Sequence, residues 1–189
     1  MTAAPPDLVT PLSGHRISLA FAVLLAVHVP AGLTCVVTGV VAMLSPKRPG
    51  RHPRFGDVYY WSLSVVFVTA TGMAAMRWEQ DWYLFVLGSI SFGLASSGYA
   101  ARRILWQGWR SVHVMGMGLS YIALLTAFYV DNGPHLPLYD RLPTIVLWTG
   151  PSVIGLPLLA RALHRHAHVA ADLRATIRAL AGTAANSSG

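Results

Sequence analysis

Apolar residues gather into five long runs, Ile17 to Leu44, Tyr59 to Met76, Tyr83 to Ala100, Val112 to Val130 and Thr144 to Leu163, with polar and charged residues pushed into the segments between them. The hydrocarbon core of a bilayer is about 30 Å thick and takes about 20 apolar residues to cross as a helix. Each run comes close to that length or exceeds it. None contains Lys, Asp or Glu, and Arg161, near the end of the last, is the one Arg. A backbone surrounded by lipid must satisfy its own hydrogen bonds, so runs of this length read as helices. The pattern predicts an all-α integral membrane bundle of five transmembrane helices over residues 17–163. It is preceded by a polar segment, 1–16, and followed by a tail, 164–189.

Composition agrees with lipid as the solvent. Hydrophobic residues make up 54% of the chain and charged ones 11%, against about 25% charged in an ordinary soluble domain. The net charge of +7 points away from nucleic acid because of where it falls. Lys47, Arg48, Arg51 and Arg54 lie between the first two runs, Arg102, Arg103 and Arg110 between the third and fourth, and Arg161, Arg165, Arg174 and Arg178 at or beyond the fifth. The other two connections set Arg77 against Glu79 and Asp81, and Arg141 against Asp131 and Asp140. Basic loops stay cytoplasmic, so the amino terminus is expected outside and the carboxyl terminus inside. Tyr59, Tyr60, Trp61, Trp106 and Trp109 fall at the inner ends of the runs, and Trp78, Trp82, Tyr83, Tyr129, Tyr139 and Trp148 at the outer ends, as two interfacial aromatic belts. The first run is too long for a signal-peptide core and is expected to remain as a helix. Thirteen Arg to one Lys, with abundant Ala, suit a high-GC bacterium and hence its cytoplasmic membrane. In the tail, Leu173, Ile177 and Leu180 with Arg174 and Arg178 form a short basic amphipathic helix suited to an anionic leaflet, and 182–189 read as disordered.

Helices in lipid associate through small residues that let backbones approach. Ser89, Gly93, Ser97 and Ala101 in the third run, and Gly116 and Ser120 in the fourth, are the expected contact stripes. In the first run His28, Gly32, Cys35 and Gly39 form a polar and small stripe that should turn inward, with Pro30 kinking the helix. No internal repeat of the transporter kind is present.

Candidate chemistry rests on histidine, since no carboxylate enters the apolar runs. His28 lies within the first run, His52 in the loop before the second and His113 at the start of the fourth. The outer positions hold His15 and His135, and the tail holds His164, His166 and His168. Counting helical rise, His28 sits about 24 Å from the inner end of its run and Met73 about 21 Å from the start of its own, so they share a depth. His52 and His113 share the inner side. Haem b in a helix bundle takes bis-His or His/Met axial ligands, so His28 with Met73, or His52 with His113, are the candidate cofactor-binding pairs. A copper site is the second option, with soft or imidazole donors from His28, Cys35, Met73, His113 and Met117. The alternative is structural: His28 bonding a carbonyl freed by Pro30, and His52 at the headgroup level. A single Cys excludes an intramolecular disulfide. No Walker loop, dinucleotide-binding glycine pattern, nucleophile elbow or HExxH motif is present.

The string Ser45-Pro-Lys-Arg-Pro-Gly-Arg-His-Pro-Arg-Phe-Gly-Asp-Val-Tyr59, preceded by His28 and Ala31-Gly32 and followed by His113 in Arg110-Ser-Val-His-Val-Met115, resembles a family of small bacterial multi-pass membrane proteins of unknown function. That family has a His in its first span and a basic His/Arg loop with Gly and Tyr opening the second; here Pro53 separates His52 from Arg54. The similarity covers roughly Val27 to Tyr129. It implies a membrane helix bundle and gives its histidines a site without naming the ligand. The function expected from the sequence is a haem- or metal-binding redox component with a histidine-lined interior and a redox or assembly partner in the membrane. The alternative is a non-enzymatic assembly factor or small-solute permease.

Overall fold

Each apolar run lies within one long helix. The computed structural model describes residues 10–47, 50–133 and 143–187, with side chains over 19–47, 50–133 and 143–165. The helices are α1 (Thr10–Leu44), α2 (Arg51–Met76), α3 (Trp78–Ile104), α4 (Trp109–Asn132) and α5 (Thr144–Ser187). All five are long and apolar enough to cross a membrane, and the protein is an all-α, multi-pass membrane bundle. Its outer surface is apolar: Val68, Val153 and Ile154 are each about two-thirds exposed, at 66%, 68% and 69%, which lipid accommodates and water does not.

The helices run further than the apolar pattern predicts, because their end turns tolerate residues that interiors reject. α2 begins at Arg51 rather than Tyr59. Pro53 falls in its first turn, where a missing N–H costs nothing, so His52 belongs to the helix and not to a loop. α3 begins one residue after α2 ends, and Arg77 is the whole junction, at φ −134° and ψ 43°. Glu79 and Asp81 sit in its first turn and Arg102 and Arg103 in its last, each sign at the end of the helix dipole that favours it. The charges read as loop residues are therefore helix ends. Leu105 and Gly108, both left-handed at φ 57° and 88°, turn the chain into α4. α5 continues through Ser187, past the break expected after Leu180; the alanines at 179, 181, 184 and 185 are strong helix formers. The amphipathic side chains of the tail lie outside the described residues.

α1 packs on α2, α2 on α3 and α3 on α4, with α1 and α4 closing the ring and α5 lying against α4. Packing is tightest where side chains vanish. At the α3–α4 crossing a Cβ on Gly116 would stand 2.6 Å from the Leu94 carbonyl and 2.8 Å from Gly98. The ring closes where Tyr121 lies on Gly39 and its hydroxyl donates to the Val36 carbonyl at 3.0 Å. The Gly116 and Ser120 stripe is buried as expected, and so are Cys35 and Gly39. Of the α3 stripe only Ala101 is buried. Ser91, Ala95, Gly98 and Ala101 form the buried face, whereas Gly93 and Ser97 are exposed. A strict four-residue repeat winds away from a 3.6-residue helix face, and the small residues selected from the sequence lie largely on the opposite side.

The α2–α3 interface is built differently. Tyr99 stacks on Tyr60 at 4.1 Å and 5°, Tyr60 on Phe92 at 6.1 Å, Phe92 on Phe67 at 4.8 Å and 6°, and Phe67 on Phe85 at 6.4 Å, with Trp78 5.7 Å beyond Phe85. Two tightly packed hairpins, α1–α2 and α3–α4, thus meet through a column of aromatic rings.

Candidate functional site

The antiparallel order brings the end of α1, the start of α2, the end of α3 and the start of α4 to one end of the bundle, the basic end. Pro46 sets the first contact there. It has no N–H, so the Ala42 carbonyl four residues earlier lacks its helical donor. His52 Nδ1 donates to that carbonyl at 2.8 Å, and Lys47 Nζ donates to it at 3.1 Å and to Met43 O at 2.9 Å. Partial burial holds the Lys47 ammonium below its ordinary pKa. On the opposite helix, His113 Nδ1 donates to the Gly98 carbonyl at 2.9 Å, across the contact that Gly98 and Gly116 make possible.

His52 and His113 meet across the bundle from α2 and α4, ring centres 6.2 Å apart and planes at 90°. A carbonyl can only accept, so each Nδ1 carries the proton and each Nε2 keeps its lone pair. Both rings are half-buried. Arg102, from the end of α3, lies over Gly56, its Nη1 3.9 Å from where a Cβ would be. Its Nη2 stands 3.2 Å from Asp57 Oδ1 and 3.5 Å from Oδ2. Oδ1 is buried and has no hydrogen bond of its own. Arg102 and Lys47 are both electrostatic neighbours of both imidazoles.

Two turns deeper lies a second polar layer. Tyr59 is 2% exposed, a core residue and not part of an interfacial belt. Its hydroxyl donates to Ser120 Oγ at 2.9 Å, and Ser120 passes its own proton to Met117 O at 2.9 Å. Ser91 donates to Ser120 O at 2.9 Å. The Cys35 thiol points to Tyr59 O at 3.8 Å. One network therefore joins α1, α2, α3 and α4.

The other sequence candidates lie further along the helices than this pair. His28 Nδ1 lies 2.9 Å from Thr69 Oγ1 on α2. Thr69 gives its proton back to Val65 O and Val66 O at 2.8 and 3.0 Å, so His28 is the donor. Its partner is a hydroxyl and not the carbonyl freed by Pro30. Met73 is half-buried one turn beyond Thr69, near the depth expected from helical rise. Cys35 is fully buried, and Met117, one turn beyond His113 on α4, packs on the same core cluster. Among the described residues no three His, Cys, Asp or Glu side chains converge as a metal group. His15, His135, His166 and His168 lie outside the described side chains, and His164 is exposed.

Arg102, Asp57 and Tyr59 are the participants that the sequence reading missed. A signal for part of this was present: with helix register carried back to Arg51, His52, Gly56 and Tyr59 follow at i, i+4 and i+7, on one face as His113, Gly116 and Ser120 do at i, i+3 and i+7 on α4. Compared with protein-family models, with curated proteins and with solved structures, the chain matches none.

Proposed function

We propose that the protein is a redox component of the membrane whose basic end binds a transition-metal centre, haem iron or a metal ion, between His52 and His113. The observation that carries this is the pair itself: two imidazoles from facing helices, 6.2 Å apart, each with Nδ1 tied to a backbone carbonyl. A metal–nitrogen bond of about 2 Å on each side, plus the half-width of each ring, requires nearly that separation. An Nδ1–H bond to a carbonyl is the outer-shell contact that fixes the tautomer of a ligating His and raises its basicity. Bundle cores build their cofactor sites in this way, from side chains on facing helices. Bound there, an iron or copper centre would supply one-electron chemistry. The resemblance to small bacterial membrane proteins with matching histidines belongs to the same proposal, as does placement in a bacterial cytoplasmic membrane with the basic end inside.

A second reading is favoured by one observation. His52 also satisfies the carbonyl that Pro46 orphans, a structural task that an assembly factor or permease would need equally. Absorbance of the detergent-purified protein, expressed with haem or copper supplied, separates the two. The redox reading expects a reduced-minus-oxidised difference spectrum or bound copper, lost in both His52→Ala and His113→Ala and retained in His28→Ala. A colourless, metal-free wild type overturns it.

A further inference from the structure

We infer that the ligand of the His52–His113 pair is a metal cofactor bringing its own carboxylates, an iron porphyrin with free propionates, and not a bare metal ion. The inference rests on the reading of the pair as metal ligands and narrows it.

Ligand count is the first support. A bare zinc or copper ion draws three or four donors from the protein, and among the described residues no three His, Cys, Asp or Glu converge. The macrocycle fills four positions of its iron and leaves two axial ones, so a histidine from each of two helices completes the set.

Charge is the second. Lys47 Nζ shares the Ala42 carbonyl with His52 Nδ1, and the Arg102 guanidinium lies over Gly56, one turn from His52. Arg102 is itself paired with Asp57, its Nη2 at 3.2 and 3.5 Å from the two carboxylate oxygens. A divalent ion held between the imidazoles would face two fixed cations, with only a partly committed carboxylate to offset them. Propionates invert that sign: an Arg fork and a Lys ammonium are the groups that bind carboxylates best. Gly56 adds to this, because its missing side chain lets the Arg102 guanidinium lie along α2 on the same side as His52.

Depth is the third. His52 is the second residue of α2 and His113 the fifth of α4, at the end of the bundle where Arg51 and Arg54 are exposed. Charged groups of a cofactor at that level reach headgroups or water and avoid the cost of the hydrocarbon interior.

The test titrates the detergent-purified, full-length protein with three probes: haemin, haemin dimethyl ester and zinc ion. The readouts are the Soret band and the quenching of tryptophan fluorescence. Wild type is expected to bind haemin with a six-coordinate low-spin spectrum, to bind the ester about tenfold more weakly, the scale of one charge-assisted hydrogen bond, and to bind zinc no better than His113→Ala does. Arg102→Gln with Lys47→Gln should weaken haemin by a similar factor and leave the ester unchanged. Arg102→Lys, which keeps the charge, should restore most of the haemin affinity, while the exposed Arg103→Gln alters neither. Equal binding of haemin and its ester, or zinc held by the histidine pair with haemin excluded, overturns the inference while leaving a metal site standing. Failure of every probe, in protein that elutes as a single species, overturns the metal reading as well.

Discussion

At the scale of single residues, the candidate site and the packing share the same atoms. Gly98 lends its carbonyl to His113 and its missing side chain to the α3–α4 crossing. Gly116→Ala would place a methyl 2.6 Å from the Leu94 carbonyl, and overpacking of this kind costs about 1–3 kcal/mol. Thermal unfolding in detergent should show that loss, whereas Gly93→Ala, with nothing within 4 Å, should be neutral or gain the few tenths to 1 kcal/mol that Ala holds over Gly in a helix, about the known propensity difference. Tyr59→Phe removes the donor to Ser120 while keeping the ring. A loss of about 1 kcal/mol is expected, and no loss at all would mean that the hydroxyl is not part of the network. These residues also mark how far the sequence could be read. His52 and His113 stood out because imidazoles are rare beside apolar runs. Arg102 and Asp57 did not, because a charge next to a span looks the same whether it orients the chain in the membrane or closes over a neighbouring helix.

At the scale of helices, number and approximate position followed from the length of the apolar runs, which bilayer thickness dictates. The ends did not, because first and last turns accept Pro53, Glu79, Asp81, Arg102 and Arg103 on grounds of orphan N–H groups and the dipole, to which hydropathy is blind. Faces were harder still. On α3 the small stripe misled because the interface with α2 is filled by large rings, while the interface with α4 needs Gly98 and Ser91. Replacing Phe92 by Leu breaks the column at its middle, between Tyr60 and Phe67. The expected cost is about 0.5–1.5 kcal/mol for each ring pair lost, read as a lower melting temperature. Loosening should concentrate between α2 and α3: disulfide trapping across that interface in a Cys35→Ala background should become less efficient, with trapping across α3–α4 unchanged.

At the scale of the whole molecule, four helices form a closed ring around a polar axis and the fifth leans on one of them. The uneven charge at the two ends predicts the orientation in the membrane. With Cys35 replaced by Ala, Glu79→Cys should label with an impermeant maleimide in intact cells, and Arg174→Cys only after the membrane is opened. The reverse pattern would put the histidine pair on the outer face, and any electron partner with it.

Arg77, the single residue between two helices of 26 and 27 residues, has a mechanical consequence. With a rise of 1.5 Å per residue, each arm is about 38 Å long. A rotation of about 5° at this pivot would part the far tips by about 3 Å, enough to pull the Arg102 guanidinium off the Asp57 carboxylate. The stacked rings between α2 and α3, from Phe85 to Tyr99, resist that rotation, so the short junction and the aromatic column together hold this ion pair closed.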